Sequence, residues 1–348
     1  MIEVSSHLFD EVPETVANRF FSYFYTKSSK PGKNPSLRRR AIALYDPFAD
    51  RTKFPAGIRY CCNVFTGCDH KCEYCYAANY IRDHLHGRIK EDFPEQLGKD
   101  IKAIRDLDLN PTPIHISNST DALQERLEKT YRHTHLLLKT VVENGHYFSI
   151  TTILTKNPSM LLDRDCDYIS IIKSIPRFQI EVSLTFWNDG CRQFYEPGAP
   201  TVQSRLDAIR ALRQKEIAVS LRIDPLFPRD PISNDTTGKK LLDYGFHTAQ
   251  TIEDLHHLID FAAETGCQKV IVSPCKVPIG RFRNVDYMNQ CRNFYTAIGL
   301  SRKPITKGFA WRLPREYYEH QILAPVQEYC NLKNISLMDC KQNLITTV

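Results

Sequence analysis

Three cysteines stand close together in Gly67-Cys68-Asp69-His70-Lys71-Cys72-Glu73-Tyr74-Cys75-Tyr76-Ala77. Cys68, Cys72 and Cys75 follow the order C-x3-C-x2-C, with an aromatic on each side of the last. Thiolates are soft ligands and select iron–sulfur clusters or zinc over hard cations. A structural zinc needs a fourth ligand, for which His70, Cys61 and Cys62 are the nearby candidates. The sharper reading is a [4Fe–4S] cluster held at three corners, its fourth iron open to a small molecule.

A loop of this kind needs a scaffold to hold it. From Ile58 onward, strand and helix patterns alternate. Strands are expected at Ile58–Phe65, Ile114–Ser117, His146–Thr155, Phe178–Thr185, Ile217–Ile223 and Lys269–Ser273. Helices are expected over Asn79–His84, Phe93–Arg105, Tyr131–Asn144, Val202–Arg213 and Ile252–Glu264, with a short one from Pro158 to Leu162. Six β/α units argue for an α/β fold with parallel strands and crossover helices, too few to close an eight-stranded barrel. Ligands of such folds bind at the C-terminal ends of the strands. The cysteine loop, following the first strand, stands at that end.

With 348 residues, 42% hydrophobic and 25% charged, the chain can bury one large core. No apolar run reaches membrane-spanning length, and the N-terminus has no basic region leading into an apolar one, so neither a membrane span nor a secretory signal is expected and a cytoplasmic protein is. Twelve cysteines with three in cluster spacing fit a reducing compartment rather than a disulfide scaffold. A net charge of +6 permits a nucleic-acid partner without requiring one. Val16–Phe24 reads as a short helix. Lys27–Arg40 is basic and broken by Pro31, Gly32 and Pro35, so it suits either a solvated loop or a phosphate-contacting arm.

The cysteine spacing resembles the signature of the radical S-adenosylmethionine (SAM) superfamily. Further stretches resemble its spore photoproduct lyase and SplB-like family: Ser117-Asn118-Ser119-Thr120-Asp121, Leu154-Thr155-Lys156, Glu196-Pro197-Gly198-Ala199-Pro200 and Arg222-Ile223-Asp224-Pro225. The similarity covers about Ile58 to Ser273. It implies a partial TIM barrel, (β/α)6 of the radical SAM type, over residues 56–275, with an N-terminal extension over 1–55 and a C-terminal one over 276–348 packing on the core. It also implies a [4Fe–4S] cluster, SAM as cofactor, a low-potential donor such as flavodoxin or ferredoxin, and a monomer. The implied activity is reductive cleavage of SAM and hydrogen abstraction, as in lyases that repair thymine lesions in DNA, with DNA favoured over RNA. The alternative is a radical SAM enzyme modifying a small molecule, nucleotide or peptide.

Residue by residue, the resemblance makes Cys68, Cys72 and Cys75 cluster ligands and places Tyr74, Thr120, Asp121, Lys156, Ser183 and Arg222 at SAM. Four of them have a plainer alternative. Asp121 can cap the following helix, Lys156 can be a surface lysine, Ser183 can be a barrel hydroxyl, and Arg222 can pair with Glu181 or Asp224. The Glu196-Pro197-Gly198 loop reads as mainly structural, with Arg205 tying back to Glu196. Asn118 departs from the family, whose characterised lyases carry there a cysteine that returns a hydrogen atom. Cys61, Cys62, Cys191, Cys275 and Cys291 are other available thiols. In the tail, Arg281, Arg283 and Arg292 alternate with Phe282, Tyr287, Phe294 and Tyr295, the content of a stacking, phosphate-holding surface. Asn118, Arg281 and Arg283 are the candidate substrate contacts. Cys275, Cys291, Cys330 and Cys340 could in principle hold a second cluster, against which their wide, irregular spacing argues.

Overall fold

The computed structural model describes residues 40–45, 59–108, 111–229, 250–278, 303–305, 308–313 and 315–340. The Val16–Phe24 helix, the basic arm up to Arg39, and Arg281, Arg283 and the aromatics around them lie outside these residues. No helix among the described residues is long and apolar enough to cross a membrane.

The core is a mostly parallel eight-stranded sheet flanked by helices. Its strands are β1 (Ile42–Tyr45), β2 (Arg59–Cys62), β3 (Ile114–Ile116), β4 (Thr151–Thr155), β5 (Phe178–Ser183), β6 (Val219–Leu226), β7 (Lys269–Pro274) and β11 (Ser336–Asp339), in that order. The six expected strands are β2 to β7; β2 to β5 are shorter than the sequence pattern suggests, and β6 and β7 run one to three residues further at their C-terminal ends. Two edge strands were not anticipated. β1 pairs antiparallel with β2, and β11 extends β7 in parallel, so each end of the chain adds a strand. A separate antiparallel sheet joins β8 (Lys276–Pro278), β10 (Gly308–Arg312) and β9 (Lys303–Ile305).

The chain divides into two compact units. The first holds residues 1–66, 88–154 and 161–179. There β2, β3 and β4 run parallel, with Tyr60 opposite Ile114 and Ile116 opposite Ile153. Their buried β-branched and aromatic side chains suit strands covered on both faces. The helix Phe93–Leu107 buries Phe93, Leu97, Ile101 and Ile104 at helical spacing. Its buried Asp100 accepts the Ala41 and Ile42 N–H groups, each at 2.9 Å, which fastens the edge strand. The helix expected over Tyr131–Asn144 is His133–Glu143, and a further helix, Glu125–Tyr131, stands just before it. Arg132 breaks them with a left-handed backbone, φ 53°.

The second unit holds residues 67–87, 155–160 and 180–348. β5, β6 and β7 run parallel, Ser183 opposite Arg222 and Ile223 opposite Val272. The helix Val202–Gln214 starts at Thr201, which accepts the Ser204 N–H, and the helix Ile252–Glu264 starts at a full Thr251/Asp254 capping box. The helix expected over Asn79–His84 is absent. A single 3-10 turn, Tyr76–Asn79, is followed by turns, because backbone groups of this stretch are committed to the cysteine loop.

Candidate functional site

The cysteine loop is tied to its own returning chain. The Cys68 N–H donates to the His84 carbonyl at 2.9 Å, and the Gly87 N–H donates to Asp69 Oδ1 at 2.7 Å. Gly67 opens the loop at φ +72°, and a Cβ there would lie 2.1 Å from the His86 carbonyl oxygen. Only glycine satisfies both demands. Lys71 also takes a left-handed backbone, φ 56°, and the Cys75 N–H closes on the Cys72 carbonyl at 3.1 Å.

A second segment straps this loop from outside. The Glu73 N–H donates to the Tyr195 carbonyl at 2.9 Å, and the Gly198 N–H donates to the His70 carbonyl at 3.1 Å. A Cβ on Gly198 would sit 1.9 Å from the Asp69 carbonyl oxygen, a backbone atom with no freedom to swing away. Gly198→Ala is therefore expected to push the strap off the loop and cut iron loading at least several-fold. Circular dichroism and iron analysis of the purified variant would check this: full loading in the variant would show that the strap is not needed.

The strap brings a charge into the core. Glu196 is fully buried between two cations: Lys156 Nζ donates to its Oε1 and Arg205 Nη2 to its Oε2, each at 2.7 Å. The Tyr74 hydroxyl donates to the same Oε1. Lys156 Nζ also donates to Ser183 Oγ at 2.7 Å and to the Tyr74 hydroxyl at 2.9 Å. Arg205 completes its fork on the Ser183 and Pro200 carbonyls, at 3.1 and 3.0 Å. Burial alone would raise the Glu196 carboxyl, but Lys156 and Arg205 outweigh it and hold it well below the usual carboxylate range. Burial, then the Glu196 charge, pushes the Tyr74 phenol well up. With one carboxylate against two cations, the group carries net positive charge.

Three residues expected at one site, Tyr74, Lys156 and Ser183, thus meet through direct hydrogen bonds. Their meeting point is Glu196, whose expected tie to Arg205 is present and whose contacts with Lys156 and Tyr74 the sequence does not signal. The C-terminal ends of β4 and β5 present Lys156 and Ser183, and the cysteine loop presents Tyr74. The Tyr74 ring packs edge-on against Phe227, centroids 5.5 Å apart, and against Phe186 at 6.4 Å.

Arg222 has separate partners. It donates to Glu181 Oε2 at 2.6 Å and to Asp224 Oδ2 at 2.8 and 3.0 Å. Ser273 closes on the other Asp224 oxygen. This is the ion-pair alternative raised for Arg222, and it spans β5, β6 and β7.

Thr120, Asp121 and Asn118 belong to the first unit. Asp121 is buried and accepts the Leu123 N–H at 2.8 Å, shaping a turn rather than capping the next helix, whose N-cap is Gln124. Thr120 Oγ1 accepts from Gln124 Nε2 at 3.0 Å. Asn118 Nδ2 donates to Cys61 Sγ, and burial pushes the Cys61 thiol up to about 11. Cys61 therefore stays protonated at neutral pH.

The three loop cysteines fit a metal cluster by donor type. All are free thiols, with Cys72 buried and Cys68 and Cys75 half-buried. Burial pushes the Cys72 thiol up to about 12, so it ionises only when a cation takes the proton's place. Among the described residues no three His, Cys, Asp or Glu side chains are already gathered as a metal site. The fit rests on the thiols and on a loop fixed by backbone bonds on both sides.

Residues 62–232 match the model of the radical SAM superfamily. An uncharacterized protein of Methanocaldococcus jannaschii is 26% identical over 184 residues, 51% of this chain and 63% of that protein. An uncharacterized protein of Acidianus two-tailed virus is 24% identical over 183 residues, 50% of this chain and 58% of that protein. The chain thus covers about three-fifths of the length of these curated relatives. Among solved structures, a spore photoproduct lyase with one tyrosine changed to phenylalanine aligns over 93% of both chains, with a TM-score of 0.55 and 12% identity. A spore photoproduct lyase mutant with bound AdoMet and dinucleoside spore photoproduct aligns over 80% of this chain and 75% of its own, with a TM-score of 0.52 and 14% identity. At such identities the likeness is one of fold.

Proposed function

We propose, from the premise that this chain belongs to the radical SAM superfamily, that it is an enzyme that cleaves SAM reductively and abstracts a hydrogen atom from a nucleic-acid substrate. A pyrimidine lesion in DNA, handled by a lyase of the spore photoproduct kind, is the substrate class that its fold relatives favour. The observation that carries the reading is the three-thiol loop fixed against the buried Lys156–Glu196–Tyr74–Ser183 group.

Cys68, Cys72 and Cys75 would hold a [4Fe–4S] cluster, which when bound supplies the electron that splits SAM into methionine and a 5′-deoxyadenosyl radical. The protein's part is binding, orientation and exclusion of water. Lys156 spends its three N–H groups on Glu196, Tyr74 and Ser183, so pairing with the SAM carboxylate would exchange one of these bonds for a charged one. Ser183 offers a hydroxyl beside it. Thr120, Asp121 and Arg222 remain candidates for SAM through the family resemblance. The electron would come from a low-potential donor such as flavodoxin or ferredoxin.

Lys156→Ala is expected to raise the SAM dissociation constant at least tenfold, in keeping with about 2–5 kcal/mol for a buried, hydrogen-bonded charge contact. Iron content should stay nearly constant, since the residue ligates no iron. Titration of the iron-loaded variant with SAM checks this, and an unchanged constant removes Lys156 from the site.

The second reading, a radical SAM enzyme acting on a small molecule, nucleotide or peptide, is favoured by Asn118, which has no weak S–H bond to return a hydrogen atom. Its neighbour Cys61 does have one. Incubating the reduced enzyme and SAM with dinucleoside spore photoproduct separates the two by mass spectrometry. Thymine release that falls sharply in Cys61→Ala supports the lyase with Cys61 as donor. 5′-Deoxyadenosine without any thymine supports the second reading.

A further inference from the structure

Beyond the end of β6 the chain runs Phe227-Pro228-Arg229. Buried Gln250 fixes this segment. It accepts the Phe227 N–H at 2.7 Å and donates to the Thr185 and Pro225 carbonyls at 2.8 and 3.1 Å. Because the Phe227 ring packs on Tyr74, this segment lies at the same end of the second unit as the cysteine loop.

Arg229 is only 6% exposed. Its Nη2 donates to the Gln321 and Ile322 carbonyls at 2.7 and 2.9 Å, within the π-helix Tyr317–Leu323. Its backbone N–H and carbonyl both meet the Tyr317 hydroxyl, at 3.4 and 3.2 Å. The other terminal nitrogen, Nη1, is buried and finds no acceptor among the described residues. No described carboxylate neutralises the guanidinium, and burial lowers it to about 10. Neither titratable neighbour supplies a negative charge: Tyr317 offers a hydroxyl, and His256 is stacked on Tyr329 and is itself pushed down by burial and by Arg229. Asp260, which also faces His256, is taken up by Lys333 at 2.7 Å and by the Tyr329 hydroxyl at 3.1 Å.

A buried cation without a counter-charge is costly, and removing it from water is repaid only when an anion arrives. The two carbonyl bonds orient the fork and leave Nη1 with both of its N–H groups to give. The host turn is a π-helix, an irregularity concentrated at functional sites. Lys156, the candidate for the SAM carboxylate, lies on a different strand end, so a second anion is needed to explain Arg229.

We propose that Arg229 is the receptor for an oxyanion carried by the substrate, a phosphate or a carboxylate, held by Nη1 at the end of β6. The assignment rests on the reading of this unit as the radical SAM site and names a chemical group its substrate must bear.

The test uses the full chain loaded with iron and three probes: a thymidine dinucleotide with one phosphodiester, its neutral methylphosphonate analogue, and acetate. The native protein should bind at least one anionic probe, and Arg229→Gln should weaken that binding at least tenfold. Iron content and SAM affinity should not move. Preference for the phosphodiester over the methylphosphonate identifies a phosphate, and Arg229-dependent binding of acetate identifies a carboxylate. Where Arg229→Gln fails to fold, Arg229→Lys, which keeps charge but loses the fork, should still weaken binding several-fold. Unchanged affinity for every probe in a folded, iron-loaded variant overturns the assignment. Failure of the native protein to take up iron would instead count against the radical SAM reading, with Arg229 playing no part.

Discussion

Cys72→Ala is expected to drop iron from about four atoms per chain to below about one after anaerobic reconstitution, as loss of one corner of a three-thiolate clamp requires. Cys72 is the buried member of the three, and the Glu73 and Cys75 N–H groups on either side of Tyr74 fix its loop. The thiol contributes little to the fold by itself. Exchanging it for a methyl removes one small apolar group, a cost of about 1 kcal/mol. The variant should thus unfold near the native denaturant midpoint while holding almost no iron. Parallel loss of stability and iron would mean that the residue is a packing element. Full iron content would remove it from the clamp.

Glu196→Gln is expected to have the largest effect on stability. The substitution leaves Lys156 and Arg205 buried without their shared carboxylate, and breaking a buried pair in this way costs about 3–5 kcal/mol. Chemical denaturation of the metal-free protein measures it. Glu196→Asp should recover less than the native value, because the shorter chain cannot span both cations. The pH dependence follows from the same group. Its folded pKa lies well below its usual one, so its stabilisation is complete above the ordinary carboxylate range and is lost as pH falls toward the folded value. Acid unfolding of Glu196→Gln should accordingly be shallower than that of the native protein. A native-like midpoint and acid profile in the variant would show that the cluster of charges is worth nothing net.

Much of this site is legible in the sequence because its signals are local. The cysteine spacing, Gly67 before it, and Lys156 and Ser183 at strand ends are all read from a few neighbouring residues. The β2–β7 strands follow likewise from alternation and β-branched runs. What escapes is set by distance along the chain. Glu196 reads as part of a Pro-Gly loop, and only the fold brings it to Tyr74 and Lys156. β1 and β11 are short edge strands with weak patterns, placed by pairing with β2 and β7 rather than by their own residues. The helix expected at Asn79–His84 has the right composition, but its backbone is needed to close the cysteine loop. Arg229 gives no sequence signal at all, since a buried arginine looks like any other arginine until its partners are counted.

The most direct test of the account is product formation by the anaerobically reconstituted native chain, given SAM and dithionite. 5′-Deoxyadenosine should accumulate, the reduced protein should show a cluster resonance that SAM perturbs, and Cys72→Ala should show neither. An iron-loaded native protein that forms no 5′-deoxyadenosine and whose resonance ignores SAM would contradict the account, as would equal product from Cys72→Ala.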